Sequence, residues 1–376
     1  MLITILVFLI ILSVLVLVHE LGHFVTAKLF KIKVEEFGFG LPPRAFGIKY
    51  GETLYSINWL PIGGFVKLYG EDAAGGGRVR ATINNQQLTI NKREERRAFY
   101  SRPIWQRATV IAAGVFMNFV LAVAIISFLF SFVGVPTPGD RVVIGEVVKG
   151  SPAQTSGLKA GDIVESINGV KITGPDQLVA ITKKNIGESL KLKVQDSNLK
   201  VKEITVAPRK TYPKGEGPMG IAISQEIITK KYPLYEAPFV GTKEALRQSW
   251  MIVSGLGSLV TQLATKGSVP QDVAGPVGIA QLTGQVVSIG PVAILSFVSL
   301  LSLNLAIINI LPIPALDGGR LFFIIIEAVT RRKVSPHIET AAHTIGMAVL
   351  LLLIALITLH DLIRVVSGVP IIPQIK

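Results

Sequence analysis

Residues 2–23 of this 376-residue chain read LITILVFLIILSVLVLVHELGH. The stretch is apolar apart from Thr4 and Ser13 until it ends in two histidines and a glutamate. A helix of about 20 apolar residues, rising about 1.5 Å per residue, spans the hydrocarbon core of a bilayer. No basic residue precedes the run and no small-residue cleavage site follows it, as they would in a signal peptide. We therefore expect a retained transmembrane helix over about residues 2–22.

The composition is that of a membrane protein. Hydrophobic residues make up 49% of the chain and charged residues only 17%, which leaves too little polar surface for a water-soluble protein of this size. Three further apolar runs, over about 108–135, 290–311 and 341–360, are long enough to span a bilayer. We expect about four transmembrane helices, and we expect the shorter stretches 250–264 and 321–329 to be surface or re-entrant segments.

The net charge of +13 fits anionic lipid better than nucleic acid, because basic residues in an apolar chain usually mark the cytosolic flanks of membrane helices. Clusters of this kind follow the first expected helix and precede the second and the fourth. Their members are Lys28, Lys31, Lys33, Arg96, Arg97, Arg102, Arg107, Arg331, Arg332 and Lys333. The positive-inside rule then predicts that 28–105 is cytosolic and that both termini and the segment 136–285 are extracytoplasmic.

Two segments outside the expected helices have the sequence pattern of β structure. Residues 35–70 carry paired prolines and alternating stretches at 53–58 and 64–68, which predict short strands and hairpins on the cytosolic side. Residues 138–228 read as an inserted soluble domain, with strands predicted at 142–148, 163–167, 190–194 and 201–206. The predicted organisation is a first membrane half (1–135), this domain, surface helices (229–289) and a second membrane half (290–376).

The motif His19-Glu20-Leu21-Gly22-His23 has the spacing of a zinc site. Histidines at i and i+4 share one face of a helix and can both bind zinc, and the intervening glutamate can act as general base. The chain has no cysteine, so any metal must be held by histidine and carboxylate. The alternative is a polar helix end whose side chains reach the membrane interface without a catalytic role.

A catalytic zinc needs a third protein ligand and an open position. The remaining histidines are His337, His343 and His360. The most unusual acidic residue is Asp317, which follows two helix-ending prolines in NILPIPALDGG (309–319). A carboxylate on broken backbone at membrane depth is a candidate functional group. The alternative is that Asp317 caps a helix that begins at residue 318.

His19-Glu20-x-x-His23 and Asn309-x-x-Pro-x-Pro-x-Leu-Asp317-Gly-Gly together resemble the motifs of the site-2 protease family of intramembrane zinc metalloproteases. The chain is similar in particular to the bacterial regulator of sigma-E protease (RseP) group. Further matches cover nearly the whole chain. They are Pro61-Ile-Gly-Gly-Phe-Val-Lys67, Ala113-Gly114, Asn118 and Gly275-Pro-Val-Gly-Ile279. The family usually has proline after the Ala-Gly pair, where this chain has Val115. The sequence therefore does not determine the helix geometry at this position.

The resemblance implies that His19, His23 and Asp317 bind one Zn²⁺ per chain and that Glu20 is the catalytic base. It implies hydrolysis of peptide bonds within or near the transmembrane segments of single-pass membrane proteins, such as an anti-sigma factor or a remnant signal peptide. The implied location is the bacterial inner membrane, with the active site near the cytosolic side. The expected partners are these substrates, the lipid bilayer and a candidate first-cleaving outer-surface protease, with no nucleic acid.

The inserted segment is similar to a bacterial PDZ domain. The similarity lies in Ser151-Pro-Ala153, Gly157-Leu-Lys-Ala-Gly-Asp162 and Ile167-Asn-Gly169. There is room for only one such domain before the third membrane helix, which favours the single-PDZ branch of the family. The fold class expected is therefore an α-helical polytopic membrane protein with a cytosolic-side β-hairpin region and an inserted extracytoplasmic α+β PDZ-like domain.

Three further residues are candidates for substrate binding. An extended substrate could add to a strand of the 35–70 region near Gly63 and Gly64, and Asn309 could hold it. The alternative for Asn309 is a hydrogen bond between helices. Two other functions stay open: a catalytically silent membrane adaptor that binds membrane-protein termini through the PDZ-like domain, and a metal transporter. A transporter predicts further carboxylates within the spans, and the sequence supplies almost none.

Overall fold

The structure, a computed structural model, describes residues 2–71, 92–213, 215–266 and 274–367. The chain divides into two compact units, one of residues 1–133 with 233–376 and one of residues 134–232. In chain order the elements are α1 (Leu2–Leu29), β1 (Val34–Tyr50), β2 (Thr53–Leu68), α2 (Lys92–Glu95), α3 (Ile104–Phe132), β3 (Val135–Val147), α4 (Pro152–Thr155), β4 (Ile163–Ile167), β5 (Val170–Lys171), α5 (Pro175–Lys184), β6 (Leu190–Gln195), β7 (Val201–Val206), β8 (Ile221–Lys230), α6 (Ala237–Lys266), α7 (Pro276–Ile289), α8 (Pro291–Ile310), α9 (Asp317–Thr330) and α10 (Pro336–Val366).

Within the described part of the chain, four helices are long and apolar enough to cross a membrane, which confirms the expected count. They are Ile3–Leu29, Ile104–Phe132, Pro291–Ile310 and His337–Arg364, in α1, α3, α8 and α10. The helix ends differ from those expected. α1 continues beyond residue 22, and α3 begins directly after Pro103 and ends before Gly134, whose φ of +94° is incompatible with a right-handed helix.

α3 lies at the centre of the membrane unit, in contact with α1, α6 and α8. Its buried residues Gly114, Asn118, Ala122 and Ile126 recur every four positions and therefore form one stripe along the helix. Small residues in such a stripe let neighbouring helices approach closely, which is the usual basis of helix packing in membranes. The helix runs without a break through Val115, so the missing proline leaves α3 regular.

β1 and β2 form one long antiparallel ribbon, paired from Val34↔Leu68 to Tyr50↔Thr53. The sequence predicted several short strands here, whereas the structure has two long ones. The ladder is irregular between the pairs Leu41↔Leu60 and Arg44↔Asn58, where two consecutive prolines supply no backbone N–H. The ribbon lies against α1, and the Ser13 hydroxyl donates a hydrogen bond of 2.8 Å to the Pro61 carbonyl.

The second unit is built on an antiparallel sheet with the strand order β7-β6-β4-β3-β8, and β5 pairs with β4. β3, β4, β6 and β7 lie at or close to the four predicted strands. β8 was not predicted. It pairs with β3 from Val135↔Lys230 to Val147↔Ile221, so the unit is wider at both ends than the expected 138–228. Its core comprises Val142, Ile144, Ala153, Leu158, Val164, Ile167, Ile172, Leu178, Leu190, Leu192, Val194, Val206 and Met219.

Candidate metal centre

The two motif histidines face each other on α1. His19 and His23 are one turn apart, and their Nε2 atoms lie 3.1 Å from each other. Only 6% of the surface of His19 is exposed. A buried imidazole of this kind is not a side chain that reaches the membrane interface, which argues against that alternative for His19.

Asp317, from the C-terminal part of the chain, lies beside the same two histidines. α8 ends at Ile310, and the segment with Pro312 and Pro314 leads directly into α9, which begins at Asp317. Its Oδ2 atom lies 2.8 Å from His19 Nε2 and 3.3 Å from His23 Nε2. Leu316 is the N-cap residue of α9, without a side-chain capping hydrogen bond. The alternative in which Asp317 serves only as a helix cap is therefore wrong.

The three side chains fit a zinc ion. Four ligand atoms at about 2.0–2.2 Å from a common zinc lie about 3.3 Å from one another in a tetrahedron. The three pairs of candidate atoms lie at 2.8, 3.1 and 3.3 Å. Two imidazole nitrogens and one carboxylate oxygen are also the donor types that catalytic zinc prefers. Among the residues that the structure describes, the other histidines make no hydrogen bond or ion pair with these three side chains.

α3 orients His23 and leaves room for both rings. The Nδ1–H of His23 donates a hydrogen bond of 2.8 Å to the carbonyl of Val110, which leaves the lone pair on Nε2 for a metal. Gly114 lies directly beneath the rings. A Cβ at this position would overlap His23 Nε2 and would lie 2.8 Å from His19 Cε1. Gly22 likewise allows α1 to lie against the backbone of Ala113.

Glu20 is placed between two cavities. The ribbon-side cavity, of about 250 Å³, is lined by Glu20, His23 and Asp317 together with Phe65, Val66 and Leu68 of β2. The Asn309-side cavity, of about 210 Å³, is lined by Val16, His19, Glu20, Leu305, Asn309 and Asp317 among others. The Glu20 carboxylate makes no hydrogen bond or ion pair with the described residues, and its oxygen lies within 4.8 Å of the histidine ligand atoms. It is therefore free to accept a proton from a water molecule in either cavity.

The candidate substrate-binding residues border the same cavities. Gly64 pairs with Phe39 in the ribbon, and a Cβ on it would lie 3.7 Å from Glu20 Cγ. Gly63 has a φ of +81°, and a Cβ on it would lie 3.4 Å from Val16 of α1. Asn309 is half-buried, and its side chain has no hydrogen-bond partner among the residues that the structure describes. The interhelical hydrogen bond considered for Asn309 is therefore not formed.

Other residues at the site had no role assigned from the sequence. Arg320 of α9 forms an ion pair with Glu71 beside the ribbon-side cavity. His343 of α10 accepts a hydrogen bond of 2.9 Å from the backbone N–H of Ala315, two residues before Asp317. Asn118 of α3 lies beside His19, with 3.3 Å between Nδ2 and Nδ1. The sequence showed Arg320 and His343 only as polar residues among apolar ones and Asn118 only as a match to the family, and neither signal identifies the partner.

The chain is similar to known proteins over nearly its whole length. The family model described as peptidase family M50 matches residues 7–353. The regulator of sigma-W protease RasP of Bacillus subtilis is 32% identical over an alignment that covers 96% of this chain and 98% of that protein. The zinc metalloproteases RasP of Bacillus licheniformis and Geobacillus kaustophilus are each 31% identical, covering 96% and 94% of this chain and 99% and 96% of those proteins.

Proposed function

Because this chain belongs to peptidase family M50 and is a zinc metalloprotease, we propose that it cuts single-pass membrane proteins within or near their transmembrane segments, with zinc held by His19, His23 and Asp317. The observation that carries the proposal is the convergence of these three side chains, whose ligand atoms lie 2.8–3.3 Å apart although α1 and α9 are far apart in sequence. Their position on and beside helices that can span a membrane supports a substrate within the membrane.

Glu20 is the proposed general base. A zinc ion bound by His19, His23 and Asp317 would supply Lewis acidity, which would lower the pKa of a water molecule and polarise the scissile carbonyl. The unpaired Glu20 carboxylate accepts the proton of the attacking water and passes it to the nitrogen of the leaving amine. The two cavities beside Glu20 give this water, and the chain to be cut, access to the carboxylate.

The ribbon offers a place for the substrate. A transmembrane helix hides its amide groups, so the segment to be cut must unwind locally, and its backbone groups then need partners that lipid cannot supply. Each strand of a two-stranded ribbon has one unpaired edge to which an extended segment can add. Gly63 and Gly64 place β2 against α1 beside Glu20, and the unpaired side chain of Asn309 faces the cavity on the other side. We assign these three residues to substrate binding.

The proposed active site lies near the cytosolic surface of a bacterial membrane. Lys28 follows His23 by five residues, about 8 Å along a helix, and the basic residues Arg102 and Arg107 flank the start of α3. The segment 134–232, whose sequence is similar to a PDZ domain, follows the opposite end of α3, which supports an extracytoplasmic location for it. Such a domain can bind the terminus of a substrate already trimmed by an outer-surface protease, or exclude substrates with bulky outer domains.

The test is cleavage of a panel of single-pass reporters in liposomes, with zinc measured on each purified variant. We expect Glu20→Gln to retain zinc and lose cleavage, and Asp317→Asn to lose both. His337→Ala, which removes an exposed histidine away from the site, is the matched control and should behave as the unaltered protein. A folded chain without zinc would refute the ligand assignment. A zinc-loaded chain that cuts none of the panel would favour the silent adaptor.

A further inference from the structure

Asn118 is a polar residue in an apolar part of α3, and it is completely buried. Its carboxamide faces the ring of His19, with Nδ2 lying 3.3 Å from Nδ1. Its other polar atom, Oδ1, is buried without a hydrogen-bond partner. Buried polar atoms are almost always paired, so an unpaired amide oxygen next to a candidate zinc ligand calls for an explanation.

The chemistry of His19 gives that oxygen a role. Its Nε2 atom is the one that faces Asp317 and His23, so binding a metal uses the lone pair on Nε2. A neutral imidazole carries its single proton on the other nitrogen, and Nδ1 then becomes a donor that needs an acceptor. A half-turn of the Asn118 carboxamide exchanges Oδ1 and Nδ2, two atoms of nearly equal size, and brings the unpaired oxygen to Nδ1.

We propose that Asn118 is a positioning residue for His19, whose Oδ1 accepts a hydrogen bond from Nδ1–H and so selects the tautomer that binds zinc through Nε2. This inference rests on the proposed role of His19 as a zinc ligand. It makes α3 the helix that orients both histidines, because His23 Nδ1 is held by the carbonyl of Val110 on the same helix. Partners of this kind fix the ring orientation of zinc-binding histidines and raise their basicity.

The residue type matters because an amide and a carboxylate differ in what they can do at Nδ1. A carboxylate can only accept a hydrogen bond, whereas an amide can accept or donate. Asn118→Asp therefore keeps the proposed interaction at nearly unchanged shape and removes the opposite one, in which Nδ2–H donates to Nδ1. Asn118→Leu removes both interactions and keeps a side chain of similar size.

The chain also supplies a control for packing. The Ser302 hydroxyl of α8 donates a hydrogen bond of 2.8 Å to the main-chain carbonyl of Asn118. Ser302→Ala therefore disturbs the same contact between α3 and α8 without touching the carboxamide. Its effect measures what a purely structural change at this point does to the zinc site.

The experiment measures zinc affinity of the full chain in detergent by competition with a chelator, with thermal unfolding as a check of folding. We expect Asn118→Leu to bind zinc about 10–100-fold more weakly. Asn118→Asp should bind zinc at least as tightly as the unaltered chain, and Ser302→Ala should be unchanged. A loss of tenfold or more in Asn118→Asp overturns the proposal, as does unchanged affinity in Asn118→Leu. An unaltered chain that binds no zinc refutes the proposed ligand set itself.

Discussion

His19 Nε2 lies 2.8 Å from Asp317 Oδ2, although the two residues are 298 positions apart in the sequence. Neither the helix that carries His19 nor the broken segment that carries Asp317 can bring about this contact alone. α3 lies behind the histidines and α10 holds the segment before Asp317. The geometry of the site therefore depends on neighbours that do not themselves contact a metal, and these neighbours can be tested one at a time.

Gly114→Ala should weaken zinc binding by at least about tenfold and reduce cleavage accordingly, because the new Cβ overlaps His23 Nε2 and crowds His19. The measurement is zinc affinity by chelator competition, together with cleavage of a reporter. Gly255→Ala on α6 is the matched control, since a Cβ there has nothing within 4 Å and alanine favours a helix. Normal zinc binding by Gly114→Ala would contradict this prediction, because it would show that α1 and α3 can move apart without a loss of zinc affinity.

His343→Phe should reduce activity about tenfold, because it removes the acceptor of the Ala315 N–H at similar side-chain size. An unpaired buried N–H costs about 1–3 kcal/mol, and the partly buried N–H of Ala315 loses up to that amount unless the segment moves. Ala315 has a φ of +81°, which is uncommon for a residue with a side chain, so this backbone depends on support from outside. His337→Phe, at an exposed position of α10, should leave activity unchanged. Equal zinc affinity and turnover in both variants would contradict a positioning role for His343.

Asp361→Leu should lower the free energy of unfolding by about 1–3 kcal/mol. Asp361 is fully buried on α10, and its Oδ2 accepts hydrogen bonds from the N–H groups of Gly275 and Gly278, at 3.0 and 2.8 Å. It therefore caps the first turn of α7. Denaturant unfolding in detergent measures the effect, and Thr358→Val, which removes a hydroxyl bonded to its own helix, is the control. If Asp361→Leu and Thr358→Val had the same free energy of unfolding, Asp361 would not stabilise α7 as a cap.

Glu52 should make the free energy of unfolding depend on pH in the acidic range. A bidentate contact with Arg97 and a further hydrogen bond from Lys28 lower the pKa of the Glu52 carboxyl from its ordinary value of 4.5 to about 2. The stabilisation is complete above pH 4.5 and is lost as the pH falls towards 2. Glu52→Gln should be less stable at pH 7, and its difference from the unaltered chain should shrink between pH 4.5 and 2. Glu95→Gln, at an exposed position, should show no such change. A difference that is constant with pH would disprove the ion pair.

The membrane helices and the pairing of the two motif histidines were predictable because their signals are local. The structure confirms the four spans expected from the apolar runs, and the spacing of His19 and His23 places both on one helix face. The ends of α3 were not predictable from hydropathy, because they are set by the backbone at Pro103 and Gly134. β8 was missed because its partner, β3, lies more than seventy residues earlier in the chain.

The supporting contacts of the site were not predictable for the same reason. Asp361 stands just beyond an apolar run, where a carboxylate suggests a function, but nothing in the sequence indicates that it binds the N–H groups of Gly275 and Gly278. His343 was considered only as a possible metal ligand, whereas it supports Ala315. In each case the residue type was visible and the packing that decides its role was not.

The hydrogen-bond partners of the two histidines differ in whether a substitution can remove them. The partner of His23 is the main-chain oxygen of Val110, which every amino acid possesses. Random substitution cannot delete it, and a mutational scan will score position 110 only by how well the new side chain fits its buried surroundings. The partner proposed for His19 is a side chain that one nucleotide change can remove. Selection can therefore act on the partner of His19 in the proposed metal centre, whereas the partner of His23 is present whenever the backbone of α3 forms a helix.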